Sequence, residues 1–123
     1  MDFHKVDLQD ALGRFSEHWR PRIVGEVNGS KVQLAKLRGE FVWHRHPESD
    51  DFFYVLHGRV VIDFRDRDAV ELNEGDLLII PAGVEHRPRA DEEAHILNIA
   101  LAGTVNTGDA DDPGPYRAPE QSL

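Results

Sequence analysis

Apolar and polar positions follow two different rhythms along the chain. Leu8, Leu12, Phe15 and Trp19, with Ala11 beside them, recur at the spacing of one helical face. Asp7 precedes them as a residue able to cap the first turn, and Pro21 bars continuation. This pattern predicts one short amphipathic helix on the outside of the domain, within an N-terminal segment of residues 1–21. From Ile23 the period changes to two, with Gly, Asn, Asp and Pro as punctuation. Strands are predicted at 23–27, 31–37, 41–46, 52–56, 59–65, 69–72, 77–80, 85–89 and 94–101. Turns fall at 28–29, 65–68, 73–75, 82–83 and 91–93, so neighbouring strands are expected to be mostly antiparallel. Many short strands joined by tight turns mean an all-β barrel or sandwich over residues 22–102. Beyond residue 102 large apolar side chains almost vanish, and residues 103–123 are expected to be a flexible C-terminal tail.

A chain of 123 residues fits one domain with one modest core. The sequence has no apolar run of membrane-spanning length, and its start lacks the pattern of a secretory signal, so a soluble cytoplasmic protein is the expectation. The net charge of −9 repels phosphates and anionic lipid, and no basic patch offsets it. Neither nucleic acid nor a membrane is expected as a partner. The absence of cysteine matters more for chemistry. It excludes disulfides, thiolate metal sites and cysteine nucleophiles, so a transition-metal site here must be built from imidazole and carboxylate.

That directs attention to the histidines. His44 and His46 are two apart on a predicted strand, which places both imidazoles on one face while Trp43 and Arg45 point the other way. Two ligands so placed make a metal claw, and the interior of a small barrel brings an opposite wall close enough to complete it. His86 is the candidate third ligand. It follows the turn Pro81-Ala82-Gly83 and shares a face with Val84 and Pro88.

These spacings resemble the two motifs of the cupin family. The first reads Gly39, four residues, His44-Arg45-His46, four residues, Asp51, six residues, Gly58. The second reads Gly75, five residues, Pro81-Ala82-Gly83, two residues, His86. The similarity covers roughly residues 22–101, and is nearest to short stand-alone cupins of the mannose-6-phosphate isomerase-like kind. Three departures stand out: the first spacer is one residue shorter than the common pattern, Ala90 replaces a frequent Asn, and Asp51 replaces the usual Glu. The resemblance implies a double-stranded β-helix, the cupin jelly-roll barrel. It also implies one divalent metal ion per chain, Fe, Mn, Zn or Ni, held by His44, His46, His86 and Asp51. Asp50 could replace Asp51 only if the strand slipped by one residue, which would turn Phe53 outward.

Among the other residues, His95 alternates with Leu97, Ile99 and Leu101 and is the candidate cavity base, with a hydrogen-bonded core histidine as its alternative. Tyr54 is a second possible proton-transfer group. His57 is assigned to an exposed hairpin position, and Arg87 and Arg89 to solvent or an interface. The resemblance implies a metal-dependent enzyme of isomerase or dioxygenase type, acting on a small polar metabolite such as a sugar or keto acid. The alternative is a non-catalytic binding or sensing module. Apolar residues on both faces of several strands further predict a homodimer.

Overall fold

A computed structural model describes residues 3–123; residues 1 and 2 of the N-terminal segment lie outside the described residues. The helix, α1, spans Leu8–Leu12. Asp7 caps it by accepting the Asp10 N–H at 3.1 Å. The helix ends at its Gly13 cap, and the apolar stripe that continues beyond it serves two separate cores. Ala11, Leu12 and Phe15 pack on Leu34, whereas Trp19 turns away into the barrel. To do so Trp19 takes a φ of 62°, donates its indole N–H to the Arg38 carbonyl at 2.8 Å and stacks on Phe41 with ring centroids 4.7 Å apart.

Among the described residues seven strands follow: β1 (Arg22–Val27), β2 (Ser30–Glu40), β3 (Asp51–His57), β4 (Val60–Phe64), β5 (Val70–Leu72), β6 (Leu77–Ile80) and β7 (His86–Leu101). Among the described residues, every pairing between these strands is antiparallel. The order is β1-β2-β7-β3-β6, with β4 joining both β5 and β7. The result is the expected all-β jelly roll, closed around a core that includes Leu37, Phe53, Val55, Ile62, Ile80 and Ile96.

Two strand expectations are corrected. Residues 85–89 and 94–101 are not separate strands, and 91–93 is not a turn. In the ladder with β2, Leu37 faces Ala94 and Gly39 faces Ala90, so three residues of β7 oppose Arg38 alone. This bulge absorbs the acidic triplet and bends β7, which pairs with β4 on one side of it and with β3 on the other. The second correction concerns 41–46, which form no regular strand. Phe41 donates to the Pro88 carbonyl at 2.9 Å, but proline has no N–H to return. Only His44 and His86 exchange both backbone bonds, at 3.1 and 2.9 Å. Alternation survives without the ladder, leaving His44 and His46 buried and Arg45 exposed.

Residues 103–123 also differ from expectation, for they fold back on the barrel. Thr107 is 1% and Ala118 9% exposed. Polar bonds do what apolar content does not. Asn106 donates to the Tyr116 carbonyl at 2.7 Å and accepts the Ala118 N–H at 2.9 Å. Ile23 exchanges backbone bonds with Gln121 and Leu123. Tyr116 adds an edge contact to Phe41 at 5.4 Å.

Candidate metal centre

The two cupin-like motifs converge. His44 and His46 come from the irregular segment before β3, Asp51 opens β3, and His86 opens β7. All four are buried, and one ligand-type atom from each lies within 4.8 Å of the others. Asp51 Oδ2 is 2.8 Å from His86 Nε2 and 3.4 Å from His46 Nε2. Asp51 faces inward with Phe53. Asp50 is exposed and accepts the Ala82 N–H at 2.9 Å, so the register has not slipped.

The ring orientations suit a cation. His44 Nδ1 and His86 Nδ1 each lie 2.9 Å from a backbone carbonyl, of Val42 and Val84 respectively. Carbonyl oxygen only accepts, so each Nδ1 carries a proton and each Nε2 offers its lone pair to the cluster. His86 Nε2 then meets a carboxylate oxygen at 2.8 Å, an arrangement that needs a positive species, proton or metal, at that point. Among the described residues, His46 Nδ1 is buried without a hydrogen-bond partner, so packing sets that ring. Burial, reinforced by repulsion from His86, pushes His44 down to about 4, which keeps it neutral and available as a ligand near pH 7. Burial alone would raise the Asp51 carboxyl, but hydrogen bonds to His46 and His86 outweigh it and hold the group well below the usual carboxylate range. Three imidazoles and one carboxylate fit a divalent transition metal.

Two further residues escaped sequence reasoning. Asn98 donates through Nδ2 to Asp51 Oδ1 at 3.0 Å and to the Phe52 carbonyl at 2.8 Å. Gln33 donates to Asn98 Oδ1 at 2.7 Å, and both side chains are buried. The sign was an amide at an inward position of an otherwise apolar strand. Alternation alone does not say which of the two sets in 94–101 faces inward. Ala94, Ile96, Asn98 and Ala100 face the interior, and His95 lies on the outer face. His95 is therefore withdrawn as the cavity base. It bonds Glu93 at 3.0 Å and lies 5.1 Å from His57, ring to ring. Tyr54 likewise alternates with inward Phe53 and Val55. Arg87 and Arg89 both reach Asp63 at 2.9 Å, away from the centre.

A cavity of about 70 Å³ adjoins His44, His46 and Asp51. Ala35, Leu37, Phe41, Phe53 and Ile96 form its apolar wall, and Gln33, Asn98 and Lys31 its polar side.

The family model of the cupin domain matches residues 31–100, more than half of the chain and inclusive of all four clustered residues. The chain belongs to the cupin family. This cupin is 46% identical over 67 residues to the uncharacterized protein YdbB of Bacillus subtilis, a match covering 54% of this chain and 59% of that protein. It is 36% identical over 108 residues to an acireductone dioxygenase of Yarrowia lipolytica, covering 80% and 62%. The chain thus spans about six-tenths of the length of these curated relatives. Among solved structures, a cupin-2 domain containing protein from Shewanella frigidimarina superposes with a TM-score of 0.74 at 41% identity, covering 76% of this chain and 91% of that one.

Proposed function

We propose that this cupin is a metal-dependent enzyme acting on a small polar metabolite such as a sugar or keto acid, with His44, His46, His86 and Asp51 as the ligands of one divalent ion. The observation that carries the reading is the convergence of those four buried side chains on a point that opens into a partly polar cavity. A bound ion would supply Lewis-acid or redox chemistry at a substrate oxygen. The chain's own contribution is to hold it. Val42 and Val84 carbonyls fix two rings, Gln33 and Asn98 orient Asp51, and the apolar wall limits water.

Dioxygenase chemistry is favoured over isomerisation. An isomerase moves a proton and needs a base facing the substrate, yet His95 and Tyr54 face away from the cavity, and its lining residues Asp50 and Lys31 are engaged with the Ala82 N–H and with Glu120. Similarity to an acireductone dioxygenase points the same way. The outward placement of His95 and Tyr54 also supports a second reading, a non-catalytic module that captures its ligand on the ion. We further propose a homodimer formed through the outer face of β3 and β6, where Leu77 and Ile79 are each 52% exposed.

Elemental analysis of protein reconstituted with Fe, Mn, Zn or Ni tests the first point. One equivalent per chain is expected for wild type and none for His46→Ala. An empty wild type under all four metals overturns the metal reading. Oxygen uptake by the iron-loaded protein with a panel of ene-diols and keto acids then separates enzyme from binding module: binding without turnover across the panel selects the second.

A further inference from the structure

Lys31 occupies an unusual place for a lysine. It is 4% exposed on the inward face of β2, and a fully buried lysine needs a paired charge. Its side chain borders the cavity beside the metal cluster, and also a second hollow of about 440 Å³ between the barrel and the segments 103–106 and 117–120. Gln33, the residue that begins the amide chain to Asp51, lies two positions along the strand, about 7 Å away by strand rise. Among the described residues, Lys31 is the lone Lys or Arg lining the metal-side cavity.

The ammonium donates to the Thr104 carbonyl at 2.7 Å and meets Glu120 Oε2 at 3.0 Å. The same Glu120 oxygen accepts the Gly103 N–H at 3.0 Å. Together Lys31 and Gly103 therefore form a built seat for one carboxylate, and its present occupant is a glutamate of the chain's own C-terminal segment. Glu120 is 43% exposed on its side chain, so its carboxylate stays in contact with water while it occupies the seat.

We propose that Lys31 and the Gly103 N–H anchor the carboxylate of a substrate whose other polar end reaches the metal cluster, and that Glu120 competes for this seat. The inference rests on the metal-dependent reading above and names its substrate class: a short monocarboxylate with an oxygen function separated from the acid by an apolar stretch. The wall between the two polar ends, with Ala35, Phe53 and Ile96, suits such a middle. A single ammonium, with Asp50, Asp51 and Glu120 nearby, matches one negative charge better than a phosphate dianion. Lys31 is thus a specificity-determining residue.

Calorimetric titration of the full-length, zinc-loaded protein with 4-oxopentanoate and with 4-oxopentanamide tests this. The amide is expected to bind about tenfold or more weakly, because it forfeits the charge-assisted bonds. Lys31→Met should abolish the difference between the two probes. Glu120→Gln should bind the acid several-fold tighter, since a competitor for the seat is weakened. Equal binding of acid and amide by wild type, or no binding of either, overturns the proposal. So does weaker or unchanged acid binding in Glu120→Gln, which would make the Lys31–Glu120 pair a staple for the C-terminal segment. Zinc content is read on the same samples: a metal-free chain that still prefers the acid would defeat the metal reading and leave the seat standing.

Discussion

Asn98 illustrates how much a single buried amide can control. It donates to the Asp51 oxygen that does not face His46 and His86, and Gln33 satisfies its own carbonyl. Removing it leaves Asp51 free to rotate and strands Gln33 in the interior. Asn98→Leu is therefore expected to weaken metal affinity by about 10 to 100-fold, the usual effect of losing a group that orients a ligand, with the fold retained. Competition against a coloured chelator reads the first effect and circular dichroism the second. An unchanged affinity would show that β3 alone fixes Asp51. At this scale the ligand-type residues were legible in sequence because His-x-His and Pro-x-Gly-x-x-His are local spacings. Gln33 and Asn98 were not, since they become partners only through the β2–β7 register, which pairs them across sixty-five positions.

Among the elements, β7 and the N-terminal segment are joined by a small surface clamp. Glu93, in the bulge of β7, accepts from His18 at 2.7 Å and from His95 at 3.0 Å. The hydrogen bond from His95 first, then that from His18, pulls its carboxyl down to about 2. The folded protein thus releases this proton more readily than the unfolded chain, whose value is near 4.5. Its stabilisation is fully present above pH 4.5 and is lost as pH falls through 2. Because Glu93 is 42% exposed, solvent screens the pair and its worth is below about 1 kcal/mol. Glu93→Gln should lower the melting temperature slightly at pH 6, with the difference from wild type fading by pH 2. A difference that persists at pH 2 would show that packing, not charge, is at work. The positions of β1–β6 follow from period-two patterning, which also predicts a strand at 41–46 where none forms. The continuity of β7 did not, because three consecutive acidic residues read as a solvated turn when the single opposing residue, Arg38, is unknown.

For the whole molecule, the outer face of β3 and β6 is where association is expected. Phe52 pairs with Ile79 and Tyr54 with Leu77, which lays apolar side chains side by side on a sheet whose edge strand, β6, has no further neighbour among the described residues. Sedimentation at micromolar concentration should show a dimer for wild type and a monomer for Ile79→Asp; a wild-type monomer would sink the dimer. Composition misjudged the C-terminal segment at this scale. Its scarcity of apolar residues suggested an unpacked tail, whereas Asn106, Tyr116 and the backbone of 121–123 tie it to the barrel through polar bonds that composition does not count.

The reach of β7 also dictates when the protein can become functional. Three strands that precede it, β2, β3 and β4, all pair with it, and Ser30 finds its partner at Leu101. Such distant pairings place folding toward the slow end for small domains, in the millisecond-to-second range. During synthesis His44, His46 and Asp51 emerge well before His86, so the nascent chain carries an incomplete claw until its last strand arrives. On the proposed metal reading, loading is therefore expected to be a late step of maturation, one that a chain truncated before β7, and so lacking His86, would not complete.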